Sequence, residues 1–227
     1  MMRKISIILS LLLSAVLAVA VFKIVQTMNI QQKEKDDLQI IVDLVEIPPV
    51  TDETSDTTEV QEKDEDTKPT RNITPALQQN ADCIGWVYID GTNVNYPVMH
   101  TPDNPEKYLR QNFNKKYSQS GVPFLDGRCS LEDGNLIIYG HNMKNGTMFS
   151  DLKKYLGTAF RNAHKVIEFE TKDGVFLFEV TDVIKTNTSD ERYNQINSAD
   201  GRSLVLSTCY GSAKSGRLLI IAKEVTT

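Results

Sequence analysis

Cysteine is scarce in this chain: only Cys83, Cys129 and Cys209 occur in 227 residues. They are widely separated and show none of the short repeated spacings of a zinc site. Three thiols cannot all pair within one chain. Spacing leaves a Cys83–Cys129 bridge open, but no structural disulfide is expected. Positive charge is not in excess either, with 25 Lys and Arg against 30 Asp and Glu and a net charge of -5. That balance argues against a nucleic-acid partner. Asp182, Asp190, Glu191 and Asp200 are scattered without the loop spacing of an EF-hand. Calcium demands six or more oxygen ligands, so no metal is expected, and no other cofactor. Large apolar side chains are almost missing from residues 51–68, where Asp, Glu and Thr dominate. Such a segment cannot repay its ordering entropy by burial.

The N-terminus carries the opposite composition. Arg3 and Lys4 precede an uncharged run over residues 5–22. At about 1.5 Å per residue, a helix of this length crosses most of a bilayer core. The two basic residues place the N-terminus in the cytoplasm and everything after Lys23 outside. Ala18-Val19-Ala20 resembles a signal-peptide cleavage site, which is the competing reading. The length of the run favours a retained anchor, and both readings export the rest of the chain. The expected organisation is a cytoplasmic end (1–4), a transmembrane anchor (5–22), a flexible acidic stalk (23–72) and one globular domain (73–227). Residues 31–47 can continue as helix outward until Pro48-Pro49 stops it. The stalk reads as a spacer from the lipid surface or as a merely tolerated linker.

Within the domain, Thr74-Pro75 suits a helix start with threonine as N-cap. Strand-like runs follow at 86–89, 94–98, 122–125, 136–139, 166–170, 175–183, 203–207 and 218–225, separated by Gly, Asn and Asp turn chemistry. Short helices are expected at 105–110, at 147–156 with Thr147 as cap, and at 190–196. Eight strands with only short helices predict a mainly β fold, a closed β-barrel.

Three residues in or next to these strands carry chemistry. Cys209 is a nucleophile when it is a thiolate, His141 a base and acid for it, and Arg217 a fixed positive charge for an oxyanion. Together they suggest acyl transfer through a thioester. Ser207 alternates with Cys209 and so shares its face of the strand. Singly, each residue has an ordinary structural reading, a buried small hydrophobe or a hydrogen-bonded core histidine. His100 and His164 fall in no motif and read as surface or structural.

The stretch Val205-Leu206-Ser207-Thr208-Cys209 resembles the Thr-Leu-x-Thr-Cys motif of the sortases, departing at Val205. Further segments resemble class B sortases: Trp86 and Ile89 before Gly91-Thr92, Tyr96-Pro97-Val98, Tyr108-Leu109, Phe124-Leu125-Asp126, and Tyr139-Gly140-His141-Asn142-Met143 followed by Met148-Phe149. The resemblance spans residues 84–224. It implies an eight-stranded sortase barrel and a catalytic set of His141, Cys209 and Arg217. It also implies substrate contacts from Asn104 and Leu109, while Ser207, on the face of Cys209, reads as a residue that hydrogen-bonds the substrate or orients the trio. The implied partners are secreted proteins bearing a C-terminal sorting signal and the amine of a peptidoglycan stem or cross-bridge. Class B members carry a long helix-bearing connection before the cysteine strand, and 186–202 is short for it. Two other functions fit parts of the pattern: a membrane-anchored cysteine peptidase that only hydrolyses, and a non-catalytic binding module displayed on a stalk.

Overall fold

The computed structural model describes residues 2–45, 71–132, 134–196 and 201–225. These form two compact units, Met1–Asp37 and Leu38–Thr227. The first unit is helical. Neither proline nor glycine occurs before Pro48, so nothing interrupts the hydrogen-bond ladder of helix α1 (Met2–Val45). Leu11–Val45 contains a window of mean hydropathy 2.1, long and apolar enough to cross a membrane. Leu12, Leu17 and Phe22 are exposed, as a lipid-facing surface would be.

The stalk expected over 23–72 is not all linker: residues up to Val45 are helical. In the second unit, Leu38, Ile41 and Val45 are buried. Their i, i+3, i+7 spacing puts them on one helix face, and Ile41 and Val45 join a core cluster with Trp86, Tyr108 and Phe124. Apolar burial thus keeps these turns helical. Residues 46–70, with most of the acidic segment, lie outside the described residues.

Where the description resumes, Arg71 donates to Glu168 at 2.6 Å and lies 4.0 Å from the centre of the Tyr88 ring. This largely buried pair fastens the start of the domain to the barrel. Helix α2 (Thr74–Gln79) follows, capped differently from expectation. Ile73 occupies the cap position without a side-chain bond, and Asn72 Oδ1 accepts from the Thr74 amide at 3.1 Å.

The eight strands are β1 (Cys83–Tyr88), β2 (Asn95–Met99), β3 (Phe124–Leu125), β4 (Asn135–Tyr139), β5 (Val166–Thr171), β6 (Gly174–Asn187), β7 (Ser203–Cys209) and β8 (Gly216–Glu224). They close into a barrel in the order β1-β2-β3-β4-β7-β8-β6-β5. The mainly β, eight-stranded barrel expected from the turn spacing is therefore present. β4 runs parallel to β7, and β8 antiparallel to β7. β3 is shorter than expected and β6 longer, so the connection from β6 to β7 begins only after Asn187.

The expected helices at 105–110, 147–156 and 190–196 are the short 3-10 segments Lys107–Leu109, Phe149–Leu156 and Glu191–Asn194. Met148, not Thr147, precedes the second of these. Helix α3 (Thr158–Ala163), which the pattern did not suggest, buries none of its residues and so leaves no apolar stripe to read.

Leu204, Leu206, Leu218, Ile220 and Ala222 are fully buried at the centre of the barrel core. β7 is buried along its whole length until Cys209, the first exposed position. The strand thus carries its last residue out of the core at the barrel rim.

Candidate active site

Strand register assembles the site. The parallel ladder of β4 and β7 pairs Asn135 with Ser203 and Tyr139 with Ser207. It continues past the strand ends, where Gly140 N donates to Ser207 O at 3.1 Å and Thr208 Oγ1 donates to Gly140 O at 2.7 Å. The same offset sets His141 beside Cys209, and Asn142 Nδ2 donates to Cys209 O at 2.8 Å. On the other side of β7, Cys209 pairs directly with Arg217 of β8. Directly opposed residues have Cβ atoms about 5 Å apart on a common face. His141, Cys209 and Arg217 all line one cleft of about 630 Å3.

Local packing explains the neighbouring glycines. A Cβ on Gly140 would stand 2.5 Å from the Phe149 ring, so only glycine lets β4 deliver His141 past that ring. A Cβ on Gly216 would stand 2.1 Å from the Tyr210 carbonyl, across the tight turn that brings Arg217 back to Cys209.

His141 Nε2 lies 3.0 Å from the Leu109 carbonyl oxygen. A carbonyl only accepts, so Nε2 carries the proton and Nδ1 is left as the basic nitrogen. Burial lowers the pKa of His141, and the charges of Arg110 and Arg217 act in the same direction against the opposing Leu109 bond. Burial and the neighbouring arginines thus favour the neutral imidazole. Because its folded pKa lies below the unfolded value of about 6.5, the unfolded chain takes up the proton first. Stability contributed by neutral His141 is full above that pH and declines below it. An NMR titration, with the imidazole assigned by comparison with His141→Gln, should give a midpoint under 6.5; a midpoint at or above it contradicts this electrostatic reading.

Arg217 Nη1 donates to the carbonyls of Lys214 and Gly216, each at 2.9 Å, which fixes the plane of the guanidinium. Cys209 is exposed, whereas Cys83 and Cys129 are buried, and no disulfide links the three. Burial pushes the Cys83 thiol up to about 12.

The other expected site residues separate. Ser207 and Leu109 line the cleft. Ser207 is buried, with its Oγ 2.8 Å from the Tyr193 hydroxyl. Leu109 also acts through its carbonyl on His141. Asn104 is exposed and is not among the cleft residues, although Pro102 and Pro105 on either side of it are. Its main chain shapes the turn before Leu109, accepting from the Thr101 hydroxyl at 2.8 Å and the Lys107 amide at 3.0 Å.

Asp126, Arg128, Tyr139 and Tyr193 also line the cleft and were not singled out as site residues from the sequence. The Phe124-Leu125-Asp126 and Tyr139-Gly140-His141-Asn142-Met143 segments offered signals for Asp126 and Tyr139 alone. Among the described residues, no group of three or more His, Cys, Asp or Glu side chains is placed to hold a metal ion.

Comparison with known proteins gives the same frame. Residues 87–225 match the family model described as the Sortase domain. Sortase B of Staphylococcus aureus is 32% identical over 175 residues, covering 64% of this chain and 71% of that protein. Sortase B of Listeria monocytogenes is 40% identical over 111 residues, 48% of this chain and 45% of that one. The crystal structure of sortase B from B. anthracis in complex with AAEK1 superposes with a TM-score of 0.65 at 25% identity, covering 88% of this chain and all of that one. With an exposed cysteine set between histidine and arginine on the rim of a closed eight-stranded barrel, this chain belongs to the sortase family of cysteine transpeptidases and is similar to its class B members.

Proposed function

We propose that the chain cleaves a C-terminal sorting signal in secreted proteins and transfers the new C-terminus to a peptidoglycan amine, anchoring them to the cell wall. In this reading the Cys209 thiol gives its proton to Nδ1 of His141, and the thiolate attacks the carbonyl carbon of a threonine in the signal. A C–S bond forms as the carbonyl becomes an oxyanion. The Arg217 fork, its plane held by two carbonyls, donates to that oxyanion. His141 passes its proton to the departing amine, the C–N bond breaks and a thioester remains.

The second half reverses the first. An incoming amine attacks the thioester, His141 accepts its proton, and the Cys209 thiolate leaves and recovers the proton. The product is a new amide. Leu109 keeps the imidazole in one tautomer through both halves.

The observation that supports this reading is the β7–β8 pairing of Cys209 with Arg217 in a cleft that His141, two residues past the end of β4, also lines. Residues 5–22 would hold the enzyme in the membrane, with Arg3 and Lys4 inside and residues 73–227 outside. The test is incubation of the full chain, in detergent, with an Asn-Pro-x-Thr-Asn-type peptide, with and without oligoglycine or a diaminopimelate-like amine. Mass spectrometry should find the peptide joined to the amine. Hydrolysis alone, whatever amine is offered, would make the protein a cysteine peptidase.

A further inference from the structure

The turn Glu191–Asn194 contributes Tyr193 and Asn194 to the cleft. Tyr193 touches the β7 strand through its hydroxyl, 2.8 Å from Ser207 Oγ, and its ring stacks on Tyr139 with centroids 6.0 Å apart. The main chain of the turn is held from a different element. Arg128 Nη2 donates to the Tyr193 carbonyl at 2.8 Å, and Nη1 reaches Asn194 Oδ1 at 3.4 Å. The same guanidinium grips Asp126, Nε to Oδ1 at 2.9 Å and Nη2 to Oδ2 at 2.8 Å. Asp126 also accepts from the Tyr139 hydroxyl at 2.8 Å and the Arg128 amide at 3.0 Å.

Asp126 is the buried end of this bridge, its side chain 9% exposed against 52% for Arg128. Burial by itself raises the Asp126 carboxyl, but the Arg128 and Tyr139 hydrogen bonds hold it below the usual carboxylate range. The carboxylate therefore stays charged and keeps its hold on the guanidinium. A planar fork that serves a carboxylate and a carbonyl on separate segments is a task for arginine and not for lysine, whose ammonium is a point donor.

We propose that Arg128 is a positioning residue: it clamps the Glu191–Asn194 turn to the barrel and so sets the cleft surface on which the sorting signal lies, without touching the reacting atoms. The proposal rests on the transpeptidase reading for its substrate but not for the clamp itself. Without the clamp, the turn keeps the Tyr193 contacts and its flanking bonds, Thr186 Oγ1 to Asp190 Oδ2 before it and the Asn135 amide to the Ile196 carbonyl at 2.9 Å after it, but loses the tie from its own Tyr193 carbonyl to Arg128. Peptide binding must then first select the docked arrangement, which raises KM and leaves the chemical step alone.

The test uses Arg128→Gln and Arg128→Lys in the full chain in detergent. The lysine variant keeps a charge beside buried Asp126, so it still answers if the glutamine variant does not fold. Three results are expected in either variant. Hydrogen exchange of amides 190–196 speeds up in the peptide-free protein. KM for the sorting-signal peptide rises about tenfold with kcat within about twofold of wild type. Alkylation of Cys209 by iodoacetamide keeps its wild-type rate.

A raised KM with unchanged exchange would mean that Arg128 contacts the peptide directly, and the clamp would be overturned. Unchanged exchange with unchanged KM overturns it equally. A fall in kcat with slowed alkylation would place Arg128 among the reacting groups and reject the positioning role. If the wild-type chain fails to process the peptide, the transpeptidase reading falls, while the exchange measurement still decides whether the clamp exists.

Discussion

Cys209→Ala is expected to leave less than about one part in a thousand of the wild-type transpeptidation rate, because it removes the atom that forms the thioester. The fold should not notice. Cys209 is the single exposed residue of β7, and substitutions at exposed positions usually change stability by less than about 0.5 kcal/mol. The thermal midpoint of the variant should therefore match wild type. Iodoacetamide provides a parallel check that needs no substrate. It should label Cys209 well before Cys83 or Cys129, since both of those are buried and burial pushes the Cys83 thiol up to about 12. Activity retained in the alanine variant would remove the proposed nucleophile. Equal labelling of the three thiols would favour a non-catalytic binding module.

Arg217→Lys is expected to lower kcat on the order of a hundredfold or more, the scale on which removing one oxyanion donor acts. Arg217 already spends Nη1 on the carbonyls of Lys214 and Gly216, so the rest of the fork is aimed by the turn itself. Lysine keeps the charge, but its single nitrogen cannot bond the turn and reach an oxyanion in the same plane. Steady-state kinetics with the sorting-signal peptide measures the effect, and the alkylation rate of Cys209 shows whether the cysteine itself is disturbed. A near wild-type kcat would reduce the role of Arg217 to charge alone.

Strands were readable where burial imposes a pattern. β4, β5, β7 and β8 lie within a few residues of their expected positions because each presents apolar side chains to the core. β3 was over-read at 122–125: Val122 is buried among side chains of a core cluster, so it looks like strand without being in the ladder. α3 was missed for the reverse reason, since none of its residues is buried. The helical end of α1 was legible as a tendency, while the burial of Leu38, Ile41 and Val45 could not be foreseen without knowing what they meet.

Of the cleft residues, Cys209, His141, Asp126 and Tyr139 stood in recognisable stretches, and Arg217 stood at the edge of the last strand-like run. Arg128 and Tyr193 did not stand out, because Arg128 and the turn it grips are 65 residues apart. Asn104 is the reverse case: its segment resembled one that contacts substrate, and in the structure its main chain serves a turn while Leu109, a few residues on, meets the cleft and the imidazole.

The amino-acid order alone established what depends on neighbours along the chain. An uncharged apolar run makes a helix long and apolar enough to cross a membrane, alternating apolar residues make half-buried strands, and turn residues separate them. Only the tertiary structure decided which thiol faces solvent, which nitrogen of His141 is basic, and which side chain fastens the turn beside the cleft. The reason is that these properties come from neighbours distant along the chain, such as Asn142 and Cys209, 67 residues apart, which leave no periodic trace in the sequence and exist only once the barrel has closed.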